Sequence, residues 1–121
     1  MTQTSSIDPE ALERLREWGG EKLVGQMIRL FISNAGQRVD QIRVGVRDNL
    51  IREAEMGAHS LKSSAANLGA ERVRALATVI ELAAADGNMS PVTEHLPELE
   101  TAFAAAVSEL ESIEQGISDE S

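Results

Sequence analysis

The chain contains no cysteine, which excludes a disulfide, a thiolate nucleophile and a thiolate zinc site. Aromatic residues are nearly as scarce: Trp18, Phe31 and Phe103 supply the 2% aromatic content, against 42% hydrophobic residues overall. Alanine, leucine, valine and isoleucine must therefore make the core, which suits closely packed helices better than sheets. No apolar run approaches the ~20 residues of a membrane-spanning helix. The start, MTQTSSIDPE, has neither the basic nor the apolar segment of a secretory signal. These absences predict a cytoplasmic protein without membrane contact. No strand-like run leads into a glycine-rich phosphate loop, so nucleotide binding and autonomous kinase activity are not expected.

What is present fits one domain, since 121 residues can bury a core without staples. The net charge of −9 is unevenly distributed. Residues 1–74 hold all 11 Lys and Arg with 10 acidic groups, whereas residues 75–121 hold 10 acidic groups and no basic one. Nucleic acid is not an expected partner, because phosphate contacts need clustered cations. An acidic partner would meet the first two thirds of the chain, where Arg43, Arg47, Arg52 and Lys62 lie.

Helical spacing runs through most of the sequence. Residues 1–7 read as a flexible lead; Asp8 can cap a helix, Pro9 suits its first position, and Ile7 with Leu12 has staple spacing. This short helix stops at Gly19-Gly20. From about residue 21 to 47, Val24, Ile28, Phe31, Ala35, Val39, Ile42 and Val46 keep the four-and-three spacing of one helical face. Leu23, Met27 and Leu30 form a second row, needing cover from the short helix or from a partner. A third segment, about 50–68, carries Ala54, Ala58, Leu61, Ala65 and Leu68, and Gly69 fits the left-handed position after it. A fourth, about 70–85, points Val73, Leu76, Ala77, Ile80 and Ala84 inward. Ser90-Pro91 opens the last, in which Val92, Leu96, Leu99, Phe103, Ala106, Leu110 and Ile113 share a face. Pro97 removes a donor there and predicts a kink or restart. Residues 118–121 read as a frayed tail. The predicted fold is all-α: an antiparallel four-helix bundle over 8–117, with a short N-terminal capping helix as a lid.

Within the third segment, AHSLKSSAANLGA places a histidine off the apolar row. At about 100° per residue, His59 falls about 140° from the row's centre, Ser63 about 180°, Ala66 about 120° and Lys62 about 80°. His59 therefore faces outward, and Lys62 lies one turn on, beside it. An outward histidine is ordinarily just a solvated residue. Here its neighbours include Ser60, Ser63, Ser64 and Ala66, which leave room for another surface. An unhindered imidazole, an adjacent cation and a clear approach are what in-line phosphoryl transfer needs.

The same stretch resembles the signature of histidine-containing phosphotransfer (HPt) domains, roughly His-x-x-Lys-Gly-Ser with Gly-Ala farther on. His59, Lys62, Ser64, Gly69 and Ala70 match it. Ser63 stands where that pattern often has glycine, which either narrows the approach or adds a hydroxyl. The likeness extends over nearly the whole chain, since these domains are four-helix bundles with a short leading helix. It implies a relay: His59 accepts a phosphoryl group from a receiver-domain aspartyl phosphate and passes it to another receiver's aspartate, with Lys62 countering phosphoryl charge. The receivers would belong to response regulators or hybrid histidine kinases. They would bring Mg²⁺, and this chain would bind no cofactor. Docking candidates are Met56, Ser63, Ala66 and Arg52, extended by Met27 and Leu30 if the first helix leaves them uncovered.

Two other readings compete. A helical adaptor could bind and regulate a receiver without taking phosphate, or a structural protein could self-associate through its apolar rows. Those rows more often form a monomer's own core, so a monomer is expected. No histidine or carboxylate has helical spacing with His59 that favours a metal site over the motif, and His95 has no visible chemical partner.

Overall fold

The four-and-three spacing produces four α-helices in the structure, a computed structural model that describes residues 6–120 and their side chains through 117. They are α1 (Pro9–Arg47), α2 (Ile51–Leu68), α3 (Glu71–Ala85) and α4 (Met89–Glu120). Each packs on the next, and α1 also meets α4, closing an antiparallel bundle. Among the described residues there is no strand.

α1 is two helices in one run. Gly20 takes φ 69° and ψ −166°, a conformation essentially reserved for glycine, and separates a short arm, 9–19, from the long segment 21–47. The Asp8 carboxylate caps the arm by accepting from the Glu10 N–H at 3.1 Å, with Pro9 in the first turn. Ile7, Ala11 and Leu12 are buried beneath this arm. The Asp8 N–H donates to the Gly69 carbonyl at 2.7 Å, seating the arm over the α2–α3 turn.

The core is the sum of the apolar rows: Val24, Ile28, Phe31, Ala35, Val39 and Ile42 from α1, Ala54, Ala58, Leu61, Ala65 and Leu68 from α2, and their counterparts on α3 and α4. Alanine dominates α2 and α3, so those helices approach closely. The two phenylalanines meet in the bundle, with Phe31 and Phe103 ring centroids 6.0 Å apart. No polar side chain is buried among the described residues.

Three details depart from expectation. α4 runs through Pro97 without interruption. Pro97 and Thr93 are both exposed, so the Thr93 carbonyl that loses its helical donor can turn to water. The same helix starts at Met89, ahead of the Ser90-Pro91 pair, which leaves Pro91 within the first turn. The bundle also takes in residues 6 and 7, expected in a flexible lead: the Ser6 and Ile7 N–H groups each donate to the Glu109 carboxylate at 3.2 Å, and Ile7 is buried. The rest of that lead, 1–5, lies outside the described residues, as do Ser121 and the side chains of 118–120 in the expected tail.

Candidate functional site

α2 and α3 form a hairpin turning at Gly69. Gly69 caps α2 in the left-handed region (φ 72°, ψ 24°), and the Ala70 N–H returns to the Ala65 carbonyl at 2.8 Å. Two antiparallel helices joined there face each other in mirrored register. His59 and Glu81, equally distant from Ala70, meet across this hairpin.

Glu81 reaches across from α3 and engages two side chains of α2. Its Oε2 lies 2.6 Å from His59 Nδ1, and its Oε1 lies 2.7 Å from Lys62 Nζ. Exposure falls in steps through this trio: 65% for the His59 side chain, 35% for Lys62 and 18% for Glu81. The ring stands in solvent while the carboxylate that holds it is largely covered. The Lys62 ammonium, then the His59 ring, hold the Glu81 carboxyl below its ordinary range, against the opposing effect of burial. Glu81 is therefore an anion at neutral pH and can only accept, so His59 Nδ1 carries the hydrogen and donates it. In a neutral ring the lone pair then resides on Nε2, the nitrogen away from Glu81.

The lowered Glu81 value carries a stability consequence. Its contribution is complete above the ordinary 4.5 and is lost as pH falls through the lower folded value. Glu81→Gln is expected to lose about 1 kcal/mol near neutral pH, an amount already discounted for solvent screening of His59 and Lys62. Urea denaturation at descending pH should show the gap closing below 4.5.

Around the ring, Glu55, Met56, Ser60 and Glu81 line an open groove with His59. Farther along α2, Ser63, Ala66 and Asn67 are exposed. Between α1 and α2 a hollow of about 130 Å³ has Met27, Phe31 and Leu68 as its apolar lining and Asn34, Ser64 and Asn67 as its polar one. Leu30, 53% exposed, stands at its edge.

A family model, the Hpt domain, matches residues 26–115, most of the chain and all of this site. The chain belongs to the Hpt domain family. This places it among the phosphotransfer proteins of two-component signalling. The crystal structure of histidine-containing phosphotransfer protein B (HptB) from Pseudomonas aeruginosa PAO1 is similar in fold, with a TM-score of 0.87. That match covers 93% of this chain and 97% of the other, at 18% sequence identity. Among curated proteins, no sequence matches the chain.

In this Hpt domain the site candidates divide by location. His59, Lys62, Met56, Ser63 and Ala66 share the outer side of α2, with Arg52 two turns before the histidine. Arg52 is paired with Glu55 one turn on. Met27 is half-buried and Leu30 exposed, because the arm 9–19 covers only the start of their row, where Leu23 lies against Gly19.

The expected basic docking face is not a continuous one. Arg43 pairs with Glu100 at 2.6 Å and with Asp40, and Arg47 pairs with Asp48 at 3.0 Å. Both line a different hollow, with Leu96 of α4. The charge split along the sequence does not survive folding, since α1 has the acidic α4 as a neighbour, and Glu81 of α3 reaches α2. His95 is half-buried on α4, where its Nδ1–H donates to the Pro91 carbonyl at 2.8 Å, apart from the site. Among the described residues no group of His, Cys, Asp or Glu is gathered to hold a metal ion, and no helix is long and apolar enough to cross a membrane.

Glu81 is the site residue not identified from sequence. A signal existed. With the turn fixed at Gly69-Ala70, an antiparallel hairpin brings the stretch around residue 81 level with residue 59.

Proposed function

We propose that His59 is the phosphoacceptor of a relay, taking a phosphoryl group from the aspartyl phosphate of one receiver domain and giving it to the aspartate of another. The observation that carries this reading is the exposed ring bound through Nδ1, which leaves Nε2 as the free nucleophile. In the first step the Nε2 lone pair attacks phosphorus, the P–O bond to the aspartate breaks, and the aspartate leaves as a carboxylate. In the second, a carboxylate oxygen of the next receiver attacks phosphorus, the P–N bond breaks, and the electron pair returns to Nε2. This chain supplies the ring and its surroundings, and the receiver supplies Mg²⁺ and the acidic pocket around its aspartate.

Lys62 has a supporting role in this scheme. An ammonium has three donors, and Glu81 Oε1 takes one of them at 2.7 Å. The remaining donors can meet phosphoryl oxygens as charge passes between the two proteins. The receiver docks on the outer side of α2, over Met56, Ser63 and Ala66, with Arg52 at one end and Leu30 and Met27 at the other. Small side chains at 63 and 66 let a partner backbone come close. The apolar rows are consumed in the protein's own core, which supports a monomer as the working form, in the cytoplasm where receiver domains reside.

The test is transfer in both directions. Purified receiver domains charged with labelled acetyl phosphate should pass acid-labile, base-stable label to this chain. The labelled chain should then lose it to a second, uncharged receiver in the presence of Mg²⁺. Binding without label across a broad panel would favour the adaptor reading instead. For docking, Ala66→Arg is expected to weaken binding to a receiver active in that assay by about tenfold. Calorimetric titration measures this, and because Ala66 is exposed the fold should be unaffected.

A further inference from the structure

Three serines surround the histidine on α2, and each faces something different. Ser64 is half-buried at the hollow between α1 and α2. Ser60 lines the open groove beside the ring. Ser63 is exposed, one turn beyond His59. A hydroxyl inside a helix can turn back to the carbonyl four residues earlier. Thr78 on α3 does so, donating to the Arg74 carbonyl at 2.8 Å. The same turn would bring Ser63 to the His59 carbonyl, yet among the described residues its hydroxyl has no protein partner. It is free to donate outward.

The orientation of the ring decides which flank matters. Around the helix axis, Lys62 lies about 60° to one side of His59 and Ser63 about 40° to the other. Glu81 gathers Lys62 Nζ and His59 Nδ1 on the first flank. The two ring nitrogens point in roughly opposite directions, so Nε2 is directed toward the flank of Ser63. A helical side chain also covers the turn before its own Cα, which inclines Ser63 back toward the ring. Serine extends only one atom past its Cβ, whereas Met56, 57% exposed on the same side of α2, is far longer. Met56 therefore limits how closely a partner approaches, and what Ser63 adds is a hydroxyl.

We infer that Ser63 is a phosphoryl-binding residue: its hydroxyl donates to an oxygen of the phosphoryl group on Nε2 and lengthens the lifetime of phosphorylated His59. This rests on His59 being the phosphoacceptor. A phosphoryl group brings negative charge and three strong acceptor oxygens, and a hydroxyl donating to a charged oxygen makes the stronger kind of hydrogen bond. Spontaneous loss is hydrolysis. Water attacks phosphorus, the P–N bond breaks, its electron pair returns to Nε2 and inorganic phosphate leaves. The transition state is loose and metaphosphate-like, so the three oxygens hold less charge there than in the intact phosphohistidine. A donor on one of those oxygens stabilises the intact form more than the transition state and slows the loss.

The experiment uses the intact chain and phosphoramidate, a small donor that phosphorylates imidazole without any receiver. Here the Nε2 lone pair attacks phosphorus, and the P–N bond to the leaving ammonia breaks. After the donor is removed, ³¹P NMR follows the decay of phosphohistidine in wild type, Ser63→Ala and Ser63→Gly. Both variants should decay about three- to tenfold faster than wild type, and equally, because each removes the hydroxyl. Alanine is the strongest helix former, so Ser63→Ala keeps the fold, and circular dichroism verifies this for both variants. A purely steric residue gives another pattern: Ser63→Ala matches wild type, and only Ser63→Gly differs, in transfer from a charged receiver rather than in decay.

That steric pattern, or decay of both variants within twofold of wild type, would overturn the inference. Because phosphoramidate needs no receiver, failure of the relay assay alongside the expected decay rates would count against the proposed function alone. Failure of phosphoramidate to label His59 at all would end both.

Discussion

Glutamine at position 59 is expected to abolish phosphorylation of the chain by a charged receiver, a loss of at least about 1,000-fold. Glutamine approximates the reach of the ring and can still donate from its amide toward Glu81, but it offers no nucleophilic nitrogen lone pair. The wild-type side chain is 65% exposed, so its replacement removes almost no core packing. Helix content and melting temperature should therefore match wild type while labelling disappears. Loss of label together with loss of helix would say only that the fold failed, so circular dichroism belongs beside the transfer assay.

Gly69→Ala is expected to produce a large loss of stability, about 2–5 kcal/mol. Two effects add. The backbone there has φ 72°, and a Cβ in that region costs about 1–2 kcal/mol. The added Cβ would also sit 2.8 Å from the Ala11 Cβ and 3.0 Å from both the Cβ and the carbonyl oxygen of Asp8. None of these is the end of a flexible side chain. The arm 9–19 must shift, at an overpacking cost of about 1–3 kcal/mol. Urea denaturation of the variant measures the sum. A loss below about 0.5 kcal/mol would mean that the arm lifts away freely and that the tight Asp8–Gly69 contact does not hold the turn.

That turn links fold to function. His59 meets Glu81 because the α2–α3 hairpin reverses at Gly69, and Glu81 in turn holds Lys62. A slip of one residue in the hairpin would move the carboxylate roughly 100° around α3 and leave the ring unsupported. The small core residues Ala58, Ala65, Ala77 and Ala84 allow α2 and α3 to lie close enough for a glutamate to bridge them.

The helices were legible in the sequence because each apolar row repeats at the helical period over several turns, and burial imposes that period directly. Val24 to Ile42 and Ala54 to Leu68 are all buried at the spacings that identify them. The outward direction of His59 followed from the same geometry applied to one helix. What did not follow depends on two or more helices at once. Glu81 was not singled out because its partners, His59 and Lys62, lie on another helix. Arg43 looked available for docking until α4 came alongside with Glu100. Pro97 reads as a break in an isolated helix, yet its exposed position lets the helix continue. Ile7 appeared to precede the domain because its partner, Glu109 of α4, is distant in sequence.

Mapping the phosphorylated atom tests the central claim most directly. Wild-type chain charged by a labelled receiver, kept at alkaline pH and fragmented under conditions that preserve phosphoramidate bonds, is expected to carry one phosphoryl group, on Nε2 of His59. Label on His95, on a carboxylate or on no residue of this chain would contradict it.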